Sequence, residues 1–586
     1  MAASTPYQID LAHYFATQSA EQHSRAALLT EIDAFEKAPK PHVMTPALEQ
    51  WLGRYDALSR SLNRHIIYVK LQHERDQTDH DAATAQTVLD SAAEAFESSI
   101  QDTLASLDQK ALSNLLAQHT PLDRYRFFIQ SGLAEAQHRH TTGTARKLAV
   151  DPALASLGAA YNAIRRQGFT PAPGQAAPTD ARARYLAAYQ PYIANETALA
   201  GVLVPIVNLQ DGMARTNGYS GAPEAVYRHA QLSPEQVDGV LAKIRATSAY
   251  RHYVSTLVTA VAQKDHVPEN SIKPWDLDRV DRFDPPKMSF PDGLAAILTA
   301  ESTMGEAYAD QFKQLFDPAA GRVDWCHSEK CDDAGFSVGA AGSTSGLFYG
   351  DYDGSTGSVC SVAHEAAHAV HRNLMSEHQP FSGYNEGPHF VFESYAIFNE
   401  LLLLDHLYQT AQTQEAKAYY LRLFLYDAVF QIYGSAKETD LEQSIYAGVR
   451  AGRIRTAADL GALTLDVVKQ YEPEVRQLPE DRTMWSRKRL YYVDPLYSVN
   501  YLFAGLLALN YFDQYQHDPQ GFSRRYMALL QEGFDDTPRV LLKRHIDIDL
   551  NDTAGLVDGA AQLIEQRTAA LAKLYSTCGD GACSTP

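Results

Sequence analysis

Two histidines four residues apart bracket a glutamate in the run His364-Glu365-Ala366-Ala367-His368. On a helix this spacing puts both imidazoles on one face, a single turn apart. At that separation two ring nitrogens reach one tetrahedral ion. The glutamate directly after the first histidine is placed to take a proton from a metal-activated water. The pattern therefore requires a helix at this point and points to zinc-dependent hydrolysis, most naturally of a peptide bond.

So short a pattern also arises in ordinary surface helices, and its surroundings decide between the two. Val362, Ala363, Ala366, Ala367, Ala369 and Val370 make this helix apolar on most sides, as in a buried one. Burying two histidines and a glutamate there is unfavourable unless they have partners, and an ion supplies one. The third ligand must come from elsewhere. A second apolar run spans Phe390 to Glu400, with Pro388 near its start, where a fixed φ suits a first helical turn. Glu393 lies in its first turns and is assigned as the third ligand of one Zn²⁺ per chain. Glu400, seven residues on and on nearly the same face, either supports the ligands from behind or pairs with a basic side chain.

His364-Glu365-x-x-His368, then Glu393 twenty-five residues beyond His368, resembles the thimet oligopeptidase and oligoendopeptidase F family of metallopeptidases. The string Glu393-Ser-Tyr-Ala-Ile-Phe-Asn-Glu400 is similar to the oligoendopeptidase F branch. Lys273-Pro274-Trp275-Asp276-Leu277 and Pro495-Leu496-Tyr497-Ser498-Val499-Asn500-Tyr501 resemble family segments in the same order, so the likeness covers roughly residues 200 to 510. It implies a mainly α fold: a two-lobed helical clamshell with a deep substrate channel and a small β-sheet beside the active-site helix. It implies short peptides as substrates and a tyrosine hydroxyl aimed at the developing oxyanion. Tyr497 and Tyr501 match that role, Tyr497 slightly better. The family's histidine in this segment has no counterpart, since no histidine falls between His406 and His517. Arg489 to Tyr492 stand in its place; either Tyr491 or Arg489 takes over the donor role, or substrate handling differs.

The glycine-rich stretch from Gly335 to Gly357 interleaves aromatic and β-branched residues and reads as short strands with tight turns. It leads straight into the motif helix, so Tyr349 and Gly350 are candidate substrate contacts. The connection Gly383 to His389 must pass near the metal, which adds Tyr384 and His389.

Residues 8 to 165 carry helical periodicity and few prolines. The organisation expected is an N-terminal helical lobe over 1–200 and a catalytic domain over 201–586, with a Gly/Pro-rich break at Gly168 to Pro178. With 51 basic against 71 acidic residues the formal charge is -20, which argues against nucleic acid as a partner. No apolar run is read as long enough to span a membrane, and no signal peptide is visible. Oligomeric state is not readable. Cys326/Cys331 and Cys578/Cys583 share one short spacing. Two local disulfides are favoured over a four-cysteine metal site or reduced thiols, and with them a periplasmic or secreted location over a cytoplasmic one. Cys360 remains free. A dipeptidyl carboxypeptidase and a catalytically silent peptide-binding protein are the competing functions; retention of Glu365 argues against the silent one.

Overall fold

Side-chain caps start many of the helices. Thr17 accepts from the Ala20 N–H at the head of Gln18–Glu36, and Asp79 from Ala82 at the head of His80–Ser106. Ser233 and Gln236 form a reciprocal capping box on Pro234–Ala246. The long helix Thr45–Arg75 buries Leu48, Leu52, Tyr55, Leu58 and Leu62, a three-and-four spacing that keeps one stripe facing its core. The structure, a computed structural model, describes residues 6–118, 120–136, 141–169, 180–281 and 283–579. The fold is mainly α, with one small sheet among the described residues.

Two strands of that sheet form in the glycine-rich region, as expected, and a third precedes that region. Its strands are β1 (Val323–Trp325), β2 (Gly335–Val338) and β3 (Gly346–Tyr349), in the order β1-β3-β2. β1 runs parallel to β3, and β2 antiparallel to it. Side chains alternate across a strand, and here the alternation joins two apolar cores. Leu347 and Tyr349 enter the larger core, built mostly from residues beyond 161. Phe348 and Val338 enter a second core, built from residues 9 to 129 together with Phe381 and Tyr384. The motif helix packs on β2 and β3, so the functional residues lie where the two cores meet.

The boundary expected at residue 200 falls inside the helix Gln190–Thr216. The cores instead divide the chain between Ile129 and Tyr161. Most of the Gly168 to Pro178 break lies outside the described residues. One helical stretch, Ala181–Thr216, does reach the length and hydropathy of a membrane span, contrary to the sequence reading. In this fold its Leu199, Leu203, Ile206 and Val207 are buried in the larger core. Cys326 and Cys331 face each other with Cα atoms 6.2 Å apart, within disulfide range. The Cys578/Cys583 pairing lies outside the described residues. Cys360 is free and buried in the motif helix.

Candidate metal centre

The motif helix, Thr356–His378, begins at Ser355, whose hydroxyl accepts from the Ser358 N–H. Asp353 holds this cap in turn, accepting from Ser355 N–H at 2.8 Å and from the Ser358 hydroxyl at 2.7 Å. The partner helix, His389–Thr410, is buried on nearly every side and packs on the motif helix and, most extensively, on Ser498–His517. Three helices thus fix the backbone beneath the functional side chains.

His364, His368 and Glu393 converge. The two histidine Nε2 atoms lie 3.2 Å apart, and Glu393 Oε2 is 3.3 Å from His364 Nε2 and 3.9 Å from His368 Nε2. A tetrahedral ion with ligands at about 2.0–2.1 Å sets neighbouring donor atoms about 3.3–3.4 Å apart. The triangle fits. Glu393 Oε2 is buried and has no well-aligned hydrogen-bond donor, which is what a ligand oxygen shows before its metal is counted. Among the described residues this is the one His/Cys/Asp/Glu group with such geometry.

Glu400 resolves the alternative left by the sequence. Its Oε1 lies 2.7 Å from His364 Nδ1, so the ring donates there and turns a bare Nε2 towards the centre. No basic side chain pairs with it among the described residues. Replacing it by glutamine is expected to weaken metal affinity by about 10–100-fold. Metal-buffer titration checks this, and an unchanged affinity would make Glu400 a packing residue only.

Glu365 is half-buried beside this group. Burial raises its carboxyl pKa; His364 lowers it, Glu393 and Glu400 raise it, and Lys70 lowers it. Lys70 comes from the N-terminal core, with its ammonium 4.0 Å from the Phe336 ring centroid on β2. Burial holds the Lys70 pKa below its ordinary value. Gly335 starts β2 against Glu365. A Cβ there would lie 2.7 Å from the Tyr349 ring and 3.6 Å from Glu365 Cγ, so only glycine brings the edge strand this close. His371, one turn past His368, is buried among Phe392, Tyr395 and Phe534 and held neutral by burial.

Tyr497 reaches the centre, donating to Glu393 Oε1 at 3.0 Å. It is aimed by an unusual backbone. Leu496 has φ +67°, a left-handed conformation that costs a leucine about 1–3 kcal/mol. The buried Glu442 side chain accepts the Leu496 N–H at 2.7 Å through Oε1 and holds the turn. Glu442 was missed in the sequence because nothing local marks a partner 54 residues away. The Tyr501 ring stands 5.2 Å from that of Tyr497. Glu393, Glu365 and Glu400 add to burial in raising its pKa, and among the described residues its hydroxyl makes no hydrogen bond. His389 is exposed, its ring 5.5 Å from that of Tyr497.

Two expectations do not hold. Tyr491 is 1% exposed and its hydroxyl donates to the Glu438 carbonyl, so it faces the core and not the centre. Tyr384 is buried in the N-terminal core, where its hydroxyl accepts the Phe128 N–H. Both are packing aromatics. Tyr349 and Glu365 flank Gly335 together, both within reach of a Cβ placed there. Gly350 closes the turn after β3 with its N–H on the Ala334 carbonyl.

A helical scaffold carrying two histidines, an adjacent glutamate and a glutamate from a second helix defines the class of site found in metallopeptidases. Sequence comparison agrees: the chain matches Peptidase family M3 over residues 177–556 and belongs to that family. An oligoendopeptidase F homolog of Lactococcus lactis subsp. lactis is 22% identical over 399 residues, covering 67% of this chain and 64% of that protein. The chain therefore spans slightly less than two thirds of that relative's length. The group B oligopeptidase PepB of Streptococcus agalactiae is 22% identical over 610 residues, with 97% of each covered. The fold is shared with oligoendopeptidase-F from Enterococcus faecium (TM-score 0.65, 16% identity, 96% of this chain and 99% of that one). It is shared also with a candidate peptidase from Chlamydophila abortus (TM-score 0.79, 19% identity, 98% and 99%).

Proposed function

We propose that this chain hydrolyses internal bonds of short peptides, with one zinc ion held by His364, His368 and Glu393. The observation that carries the reading is the convergence of those three donors beside a half-buried Glu365. Zinc in such a site supplies a Lewis acid that activates water and polarises the scissile carbonyl. Glu365 takes the proton from the attacking water and delivers it to the leaving amine. β2 is an edge strand against the motif helix, and its outer side suits an extended peptide backbone without reading side chains.

The oxyanion donor in this reading is Tyr501, whose hydroxyl stays protonated because burial and nearby carboxylates raise its pKa. Tyr497 is already committed to Glu393 and serves to position that ligand. Tyr501→Phe should lower kcat by about 10²-fold or more, with metal content unchanged. A change within a few-fold would return the role to Tyr497. An exported, periplasmic-type location belongs to the same reading. The facing Cys326 and Cys331 support it, and thiol counting on unreduced protein tests it.

The decisive experiment is mass spectrometry of products from a mixed peptide library, with a chelator control. Internal cleavage lost on chelation is the expected result. Release of C-terminal dipeptides alone would make the enzyme a carboxydipeptidase.

A further inference from the structure

A cavity of about 620 Å³ lies apart from the centre; none of the three metal-donor residues lines it. Its size is that of small-ligand pockets, roughly 300–1,000 Å³. Its walls include the helices Ala249–Asp265, Gln414–Val429, Ser435–Arg450 and Ala457–Tyr471 and the segment Met484 to Lys488.

The charge inside it runs against the chain as a whole. Acidic residues outnumber basic ones 71 to 51 overall, yet five cations line this cavity: Arg165, Lys437, Arg476, Arg487 and Lys488. Three carboxylates face them, Glu438, Glu472 and Asp481. Lys437 and Arg476 share Glu472, and Lys488 pairs with Glu438. Arg487 has no carboxylate among the described residues; its guanidinium lies 4.2 Å from the Tyr189 ring centroid. A cation stacked on a ring keeps its hydrogen-bonding edges available.

Two further observations point to a ligand. Tyr253, 3% exposed, lines the cavity, and its buried hydroxyl makes no hydrogen bond among the described residues. Buried polar atoms are normally partnered. Tyr426 and Phe430, which also line it, are 56% and 47% exposed and stack with centroids 6.4 Å apart. A cavity lined by an exposed aromatic pair and by a guanidinium with no carboxylate partner among the described residues suits a ligand with an anionic end and an apolar body.

We propose that this cavity is a second binding site, one that takes the C-terminal end of a peptide. Arg487 receives the terminal carboxylate, with the Tyr253 hydroxyl as a further donor. Tyr426 and Phe430 pack against the last apolar or aromatic side chains. The choice of a peptide as ligand rests on the peptide-hydrolase reading. The cavity is tied to the centre through the chain: Ser498, directly after Tyr497, donates to Glu438 on the cavity wall at 3.2 Å.

The test is calorimetric titration of full-length, zinc-loaded Glu365→Gln protein with Ala-Ala-Phe-Phe, as free acid and as C-terminal amide. The acid should bind about ten-fold tighter, the increment of one charge-assisted hydrogen bond. Arg487→Gln in the same background should abolish that ratio, and Tyr253→Phe should reduce it. Should Arg487→Gln not fold, the milder Tyr253→Phe carries the test. Equal binding of acid and amide by the parent overturns the site. So does a ratio that survives in variants whose unfolding midpoints match the parent. Digestion by the unsubstituted protein is scored separately. An Arg487-dependent ratio without cleavage removes the hydrolase reading and keeps the site; cleavage with an Arg487-independent ratio does the reverse.

Discussion

Glu365→Gln is expected to lower kcat for peptide cleavage by about 10²–10⁴-fold while leaving metal content and peptide affinity near those of the parent. Glutamine keeps the volume and the polar reach of the side chain but cannot accept a proton. The surroundings of Glu365 make the distinction clean. No hydrogen bond holds its carboxylate among the described residues, and none of the three donor contacts passes through it. The substitution therefore removes proton transfer and little of the scaffold. Burial favours the protonated acid, as do Glu393 and Glu400, while His364 and Lys70 favour the carboxylate. A raised pKa makes Glu365 a stronger base when ionised, and activity should fall as the pH drops through that pKa. In the glutamine variant that limb of the residual activity should flatten. The measurement is kcat against pH on a fluorogenic peptide, with elemental analysis of each preparation. Parent-like turnover in a metal-replete variant would eliminate Glu365 as the base.

The parts of the site that the sequence carried are those whose geometry is local. His364 and His368 share a helix face because of the helical period alone, and apolar neighbours on most sides predict that the helix is buried. Glu393 and Glu400 follow the same rule on the next helix. The glycine-rich strands were legible for a similar reason: tight turns and alternation are written within a few residues. What stayed hidden depends on contacts between distant segments. The Gly-free turn at Leu496 gives no local signal, because its strain is offset by Glu442 from another helix. Tyr491 and Tyr384 have the composition of site tyrosines, and only the packing of other segments decides that they face cores. The same limit explains the lobe boundary. An amphipathic helix states that it has a buried face but does not name its partner. Tyr161, expected in the N-terminal lobe, stacks on Tyr492 of the larger core with ring centroids 3.9 Å apart.

Removal of the metal should have the larger effect, since it takes away the site's chemistry and also part of its structural support. Exhaustive chelation is expected to abolish cleavage, and one equivalent of zinc to restore it. His368→Ala should abolish it without rescue by stoichiometric metal. The physical argument begins with charge. Glu365, Glu393 and Glu400 gather around two imidazoles in a largely apolar three-helix setting. A divalent ion balances those carboxylates, and its loss leaves them facing one another. Protonation of His364 would be the chain's own relief, and its pKa is indeed driven up by Glu393 and Glu400 against the opposing effect of burial. An imidazolium there remains a poorer counter-charge than the ion. The metal-free protein should therefore unfold at a lower temperature. Metal at 100 times its dissociation constant contributes about 2.7 kcal/mol to the folded state by mass action. Differential scanning calorimetry with and without chelator measures that shift alongside activity. Full activity in protein shown metal-free by elemental analysis would refute metal-dependent catalysis. An unfolding temperature indifferent to zinc, with cleavage still lost on chelation, would show instead that the helices hold these ligands in place without the ion.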